Sequence, residues 1–212
     1  MQREIPFEMR SNRGSRLLAV ALGLPLVVLV GLAARLWSSP AAQLEHVRAR
    51  DQLAVVSAWM LGRRGPPPEA LDPLLEALPQ GQPSLRAAAA KALGATRKPD
   101  LLRPLGNAAR DDPAPNVRCA ALDALATLGD VRATHDVGPA LADPDLDVQV
   151  AACLAVGRLG LAEHLPALID RLLHPEKKVR WGALAGLDAF RPGKASFEFD
   201  AARWKKWAAT GE

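Results

Sequence analysis

The chain has 212 residues and a formal net charge of +4, from 27 Lys and Arg against 23 Asp and Glu. Forty residues are Ala and 34 are Leu, aromatics make up 4 %, and Tyr is absent. This size fits one ordinary domain with appendages, and the composition, with only two Cys, excludes a disordered polyelectrolyte, a collagen-like chain and a disulfide framework.

Charge is unevenly placed. Residues 1–16 form a basic flank with Arg3, Arg10, Arg13 and Arg16 against Glu4 and Glu8, whereas residues 38–212 are nearly neutral, with 22 basic and 21 acidic side chains. A near-neutral body exerts little pull on a phosphate backbone, so nucleic acid is not an expected partner. From Leu17 to Ala34 the sequence LLAVALGLPLVVLVGLAA holds no charge. Arg16 and Arg35 bracket it, and Trp37 follows. A helix of this length spans about 27 to 30 Å, near the thickness of a bilayer's hydrocarbon core. Residues 17–37 are therefore read as a single transmembrane anchor bounded by Arg16, Arg35 and Trp37. A cleaved secretory signal ending near Ser39-Pro40-Ala41 and a buried apolar helix are the alternatives. The Arg excess before the stretch favours a cytoplasmic N-terminus and an extracytoplasmic remainder.

Residues 38–52 read as a juxtamembrane linker or partial helix. Ser38-Ser39-Pro40 breaks the chain, and Leu44 and Val47 then share a helical face.

Residues 53–196 repeat with a period of 31 to 32. Val117, Ala121, Ala124-Leu125 and Leu128 recur as Val148, Ala152, Ala155-Val156 and Leu159, then as Val179, Ala183, Gly186-Leu187 and Phe190. Earlier copies begin at Leu85 and, degraded, at Leu53. The offsets 0, 4, 7, 8 and 11 make one apolar stripe on a helix. A shorter apolar helix with a Pro precedes each stripe, around Pro73, Pro104, Pro139 and Pro166, and a bent first turn is expected there. Ser84, Asn116 and Asp147 stand as candidate N-caps, and Gly129 and Gly160 as left-handed C-terminal stops. Each unit is an αα-hairpin unable to bury both of its apolar faces alone. The expected fold is an all-α, right-handed solenoid of four to five stacked hairpins behind one transmembrane helix. Residues 197–212 follow as a capping helix, begun by Asp200, in which Trp204 and Trp207 share a face and cover the end of the stack.

Chemistry-bearing patterns are sparse. The four His stand apart, and there is no HExxH, His-Glu pair, Ser/His/Asp set or Gly-rich phosphate loop. Cys119 and Cys153 read as small apolar fillers. Asp111-Asp112 and Asp143, Asp145 and Asp147 read as solvated turns on one edge. No metal, cofactor or small molecule is expected.

The strings DDPAPNVRCAALDALATLG (111–129), DPDLDVQVAACLAVGRLG (143–160), HPEKKVRWGALAGLDAF (174–190) and QPSLRAAAAKAL (82–93) resemble the HEAT-repeat family, in the short bacterial form grouped with the HEAT-like repeats of phycobilin lyases. Such repeats place Asp and Pro in the turn and Val-Arg at the start of the second helix, as Asp112, Pro115, Val117 and Arg118 do here. The resemblance implies an internal Arg–Asp ladder, interrupted at Gln149. It covers roughly residues 67–191. The expected function is a membrane-anchored, non-catalytic scaffold binding a protein partner on the face of its second helices. Arg86, Arg118, Gln149, Arg158 and Arg180 are its chief candidates, with Lys91, Asp123 and Asp188 beside them. The alternative, drawn from the resemblance alone, is an accessory or catalytic protein of the lyase or chromophore-handling type.

Overall fold

The computed structural model describes residues 39–49, 54–192 and 196–211. Two compact units divide the chain, Met1–Ala42 and Gln43–Glu212. In the first, Ser39 opens a helix by accepting the Ala42 N–H on its Oγ at 3.2 Å. The second unit is the solenoid.

The helices are α1 (Pro40–Ala49), α2 (Ala54–Arg64), α3 (Leu71–Gln80), α4 (Pro83–Ala95), α5 (Leu102–Asp111), α6 (Pro115–Leu128), α7 (Thr134–Ala140), α8 (Leu146–Leu159), α9 (Leu165–Asp170), α10 (Lys177–Asp188) and α11 (Ala201–Thr210). No described residue lies in a strand. From α3 onward the helices pair as hairpins. The second helices α2, α4, α6, α8 and α10 lie side by side and pack on one another more closely than the first helices do, as on the inner side of a curve. Their stripe forms the core: Ala89, Ala121, Ala152 and Ala183 at the fourth offset are fully buried, as are Leu93, Leu125, Val156 and Leu187 at the eighth. Alanine in this row lets neighbouring axes approach, while the leucine row supplies the apolar area that drives stacking.

The bent turns do not fall at Pro73, Pro104, Pro139 or Pro166, which lie within α3, α5, α7 and α9; instead a 3-10 turn precedes each of these helices and leads directly into it, at Pro68–Ala70, Pro99–Leu101, Val131–Ala133 and Ala162–His164. Gly129 (φ 78) and Gly160 (φ 67) end α6 and α8 in the left-handed conformation that glycine adopts without strain. The expected N-caps need correction. Pro83 and Pro115 sit at the first helical position, where a missing N–H costs nothing, so the helices start earlier than Ser84 and Asn116 suggest. In α8 the capping side chain is Asp145, which accepts from the N–H groups of Asp147 (2.9 Å) and Val148 (3.3 Å).

At the C-terminal end, Asp200 caps α11 by accepting from Ala202 and Arg203, each at 3.0 Å. Trp204 is fully buried, donates its indole N–H to the Glu198 carbonyl at 2.9 Å, and meets Phe197 edge-on with ring centres 5.0 Å apart. Arg191 lies over Phe197 at 3.8 Å.

The transmembrane element is withdrawn from the fold. The segment 17–37 with its boundaries Arg16, Arg35 and Trp37 lies outside the described residues, and among the described residues no helix is long and apolar enough to cross a membrane. The longest have 14 residues, about 21 Å, well short of a hydrocarbon core. The described residues form an all-α solenoid, and nothing among them supports the single-pass localisation inferred from the anchor.

Candidate binding groove

Each second helix presents its first offset to one edge and its second, third and sixth offsets to the open inner face. The first-offset residues are Arg86, Arg118, Gln149 and Arg180. Arg86 forms a two-pronged pair with Asp112 of the next hairpin at 2.7 and 2.6 Å, and donates to the Gly81 carbonyl at 2.8 Å. Arg118 repeats this with Asp143, both contacts 2.8 Å, and donates to the Asp112 carbonyl at 2.9 Å. These four side chains are between 8 and 12 % exposed. Burial alone would raise the Asp112 carboxyl, but hydrogen bonds from Arg86 and from the Ala114 N–H outweigh it and hold the group below the usual carboxylate range. The bonds to Asp112 and Asp143 likewise raise Arg86 and Arg118. Each carboxylate also accepts an N–H two residues on, Asp112 from Ala114 (2.9 Å) and Asp143 from Asp145 (2.8 Å), which folds the turn around the ion pair.

The structure therefore turns Arg86 and Arg118 into the fold rather than toward a partner, and Asp112 and Asp143 are buried linkers, not solvated turns. Gln149 donates to the Asp143 carbonyl at 2.8 Å, and Arg180 holds the carbonyls of His174 and Pro175, both at 2.7 Å. Arg158 alone of the five chief candidates lines the inner face, where Lys91 and Asp123 join it.

That face carries a cavity of about 1130 Å³ across α2, α4, α6 and α8. Its floor is made of small residues, among them Ala87, Ala88, Cys119, Ala120 and Ala151. The sixth-offset row crosses it as Trp59, Lys91, Asp123 and Leu154. Trp59 is 51 % exposed and Leu154 40 %, so bulky apolar groups stand at both ends of a low centre. The guanidinium of Arg63, one turn on from Trp59, lies 4.9 Å from the centre of that ring. Arg158 pairs with Asp123 at 2.5 Å and donates to Thr127 Oγ1 at 3.0 Å. Asp147 pairs with Lys178 at 2.8 Å. Burial, reinforced by the charges of Asp145 and Asp147, pushes the Cys119 thiol up to about 11, so it stays protonated at neutral pH. Cys153, beneath the floor, is also raised to about 11 by burial. Among the described residues no group of three or more His, Cys, Asp or Glu is placed to hold a metal ion.

Trp59, Val56 and Leu154 were not foreseeable from the repeat stripe, because they lie off it. The signal available was the sixth-offset row, where Trp and Leu stand at positions a purely solvated face would fill with polar side chains.

Stacked αα-hairpins of 31 to 32 residues, joined by Arg–Asp pairs from second helix to following turn, define a class of short-repeat α-solenoid. The chain belongs to the HEAT-repeat family: the family described as HEAT repeats matches residues 41–114 and 102–188. Among solved structures it is similar to the complex of CpcE and CpcF of phycocyanin lyase from Nostoc sp. PCC7120. The identity is 25 % and the TM-score 0.63, over 72 % of this chain and 65 % of that one. The chain thus spans about 65 % of the length of the protein it matches. No curated protein matches it in sequence. The lyase similarity overturns the expectation of a scaffold defined by having no catalysis, since solenoids of this kind serve an enzyme there, and it shows that the fold occurs within a protein–protein complex.

Proposed function

We propose that this chain is a subunit of a lyase-type HEAT assembly, and that its inner groove holds an open-chain tetrapyrrole of the bilin class while a protein partner contributes the rest of the site. One observation carries the reading: a groove of about 1130 Å³ whose floor is apolar and whose charged groups stand on the rim. Sites for small organic ligands are concave, largely apolar and oriented by few polar groups, and this volume lies just above their usual range of about 300 to 1,000 Å³, as an open groove shared with a partner would. A bilin offers flat conjugated rings for such a floor and carboxylates for its cations. The raised thiol of Cys119 suits holding rather than attack, because a protonated thiol is a weak nucleophile. Catalysis would then rest on positioning, with Arg158 and Asp123 on the rim proposed as the surface that meets the partner.

The test is titration of the protein with biliverdin, followed by visible absorption and circular dichroism. Binding with a dissociation constant on the order of micromolar, and an induced dichroic band from a pigment held in one twist, are expected. An unchanged spectrum with no dichroic band overturns the assignment.

A further inference from the structure

We infer that Lys91 and Trp59 fix the direction in which the groove's ligand lies, with the propionate-bearing edge of its two inner rings at α2 and α4 and its propionate-free edge toward α8. This rests on the bilin reading and goes beyond it by naming the orienting residues.

The charged groups of the groove are mostly spent. Arg158 is bound to Asp123 and Thr127. Asp147 is bound to Lys178, and Asp145 accepts from two N–H groups at the start of α8. Lys91 differs: it is exposed, it lines the groove, and it forms no ion pair among the described residues. It occupies the same register position as Trp59, one helix over. Trp59 is half-exposed above the small-residue floor, and the guanidinium over its ring adds a second positive charge at that end. The α8 end offers no unspent cation among the described residues: Arg158 is held by Asp123, and Asp145 and Asp147 line the groove beside it. An anionic group entering the groove is attracted to the unpaired Lys91 and finds no such free cation at α8. A conjugated ring next to that anion meets the indole of Trp59, for which stacking is the favourable contact.

The experiment compares wild type, Lys91→Gln and Trp59→Ala against biliverdin and against its dimethyl ester, which keeps the rings and lacks the carboxylates. Both side chains are solvent-facing, so folding is preserved, and a melting curve for each variant verifies this. Lys91→Gln is expected to weaken biliverdin about tenfold, the size of one charge-assisted contact, and to leave the ester unchanged. Trp59→Ala is expected to weaken both ligands by a similar factor, about fivefold, and to remove most of the ligand-induced quenching of tryptophan fluorescence. Lys91→Gln binding biliverdin as tightly as wild type, or losing biliverdin and ester alike, overturns the orientation while the bilin reading stands. Failure of wild type to bind either ligand overturns the bilin reading itself, and the orientation with it.

Discussion

The joints between hairpins are built in two ways. The steps from α4 to α6 and from α6 to α8 each carry a buried ion pair, Arg86 with Asp112 and Arg118 with Asp143. At the step from α8 to α10 the same two positions hold Gln149 and His174. Gln149 turns back to a carbonyl, and His174 Nδ1 accepts the Glu176 N–H at 3.1 Å, doing for its turn what the carboxylates of Asp112 and Asp143 do for theirs. The ionic link there is the exposed pair Lys178–Asp147, a kind that contributes little. Helix contact remains at that step: Gly157 of α8 faces Gly186 of α10, and a Cβ on Gly157 would lie 2.8 Å from the Gly186 Cα, much as Gly94 of α4 faces Ala124 of α6 beside the Arg86–Asp112 pair. The step from α4 to α6 thus combines a charge pair reaching across the turn with a glycine contact, whereas the step from α8 to α10 keeps the glycine contact without the buried charge pair.

The largest expected effect comes from breaking the first kind of joint. Asp143→Ala strands the Arg118 guanidinium in a site where it is 10 % exposed, and also deprives the Asp145 N–H of its acceptor. A loss of about 3 to 5 kcal/mol is expected from an uncompensated buried charge, measurable by urea unfolding. A loss below about 1 kcal/mol would mean that the ladder is decorative. Gly157→Ala attacks the second kind. Overpacking against backbone is expected to cost about 1 to 3 kcal/mol, because Gly186 offers no flexible side chain to move aside.

The comparison sharpens if the missing rung is restored. Gln149→Arg alone adds a partly buried cation without an acid at the turn, and His174→Asp alone adds an acid without its cation. Each single change is expected to be neutral or destabilising, and the double change to recover about 1 to 2 kcal/mol of coupling in a double-mutant cycle. Zero coupling would show that the glycine contact sets α8 and α10 at a spacing that no longer admits the ion pair.

How much of this was readable beforehand depends on the range of the interaction. The apolar stripe is local, so residues such as Val117, Ala121 and Leu125 announced their helices and the buried side of each. The Gly129 and Gly160 stops follow from backbone sterics alone, and the Asp200 cap from a local side-chain hydrogen bond to the first N–H groups of its own helix. The direction of Arg86 and Arg118 was not readable: position on a helical wheel places them beside the stripe, but their partners lie 26 and 25 residues away and are fixed only when hairpins stack. The family resemblance raised such a ladder, whereas the periodicity by itself made the same residues look like an accessible surface. The groove escaped for a related reason. Trp59 belongs to the most degraded copy of the repeat, and a row formed by one residue from each of four helices has no signature within any one of them.

The smallest expected effect separates the two joints by acid. Asp112 has its carboxyl held below its ordinary value of 3.8 by Arg86 and Ala114. A group with a depressed folded-state value contributes its stability fully above the unfolded value, and loses that contribution as pH falls through the folded one. The Arg86–Asp112 rung is therefore intact at neutral pH and weakens below about pH 4, whereas the Gly157–Gly186 contact has nothing to titrate. Stability measured by urea unfolding between about pH 6 and about pH 2.5 should fall along an acid limb in the wild type. Asp112→Asn should be less stable at neutral pH and show a shallower limb, because the proton-linked part of the joint is gone. Gly157→Ala should be lowered by the same amount at every pH and keep the wild-type slope. Equal slopes in wild type and Asp112→Asn would place the acid sensitivity elsewhere in the molecule, and the two joints would then differ in geometry but not in their response to protons.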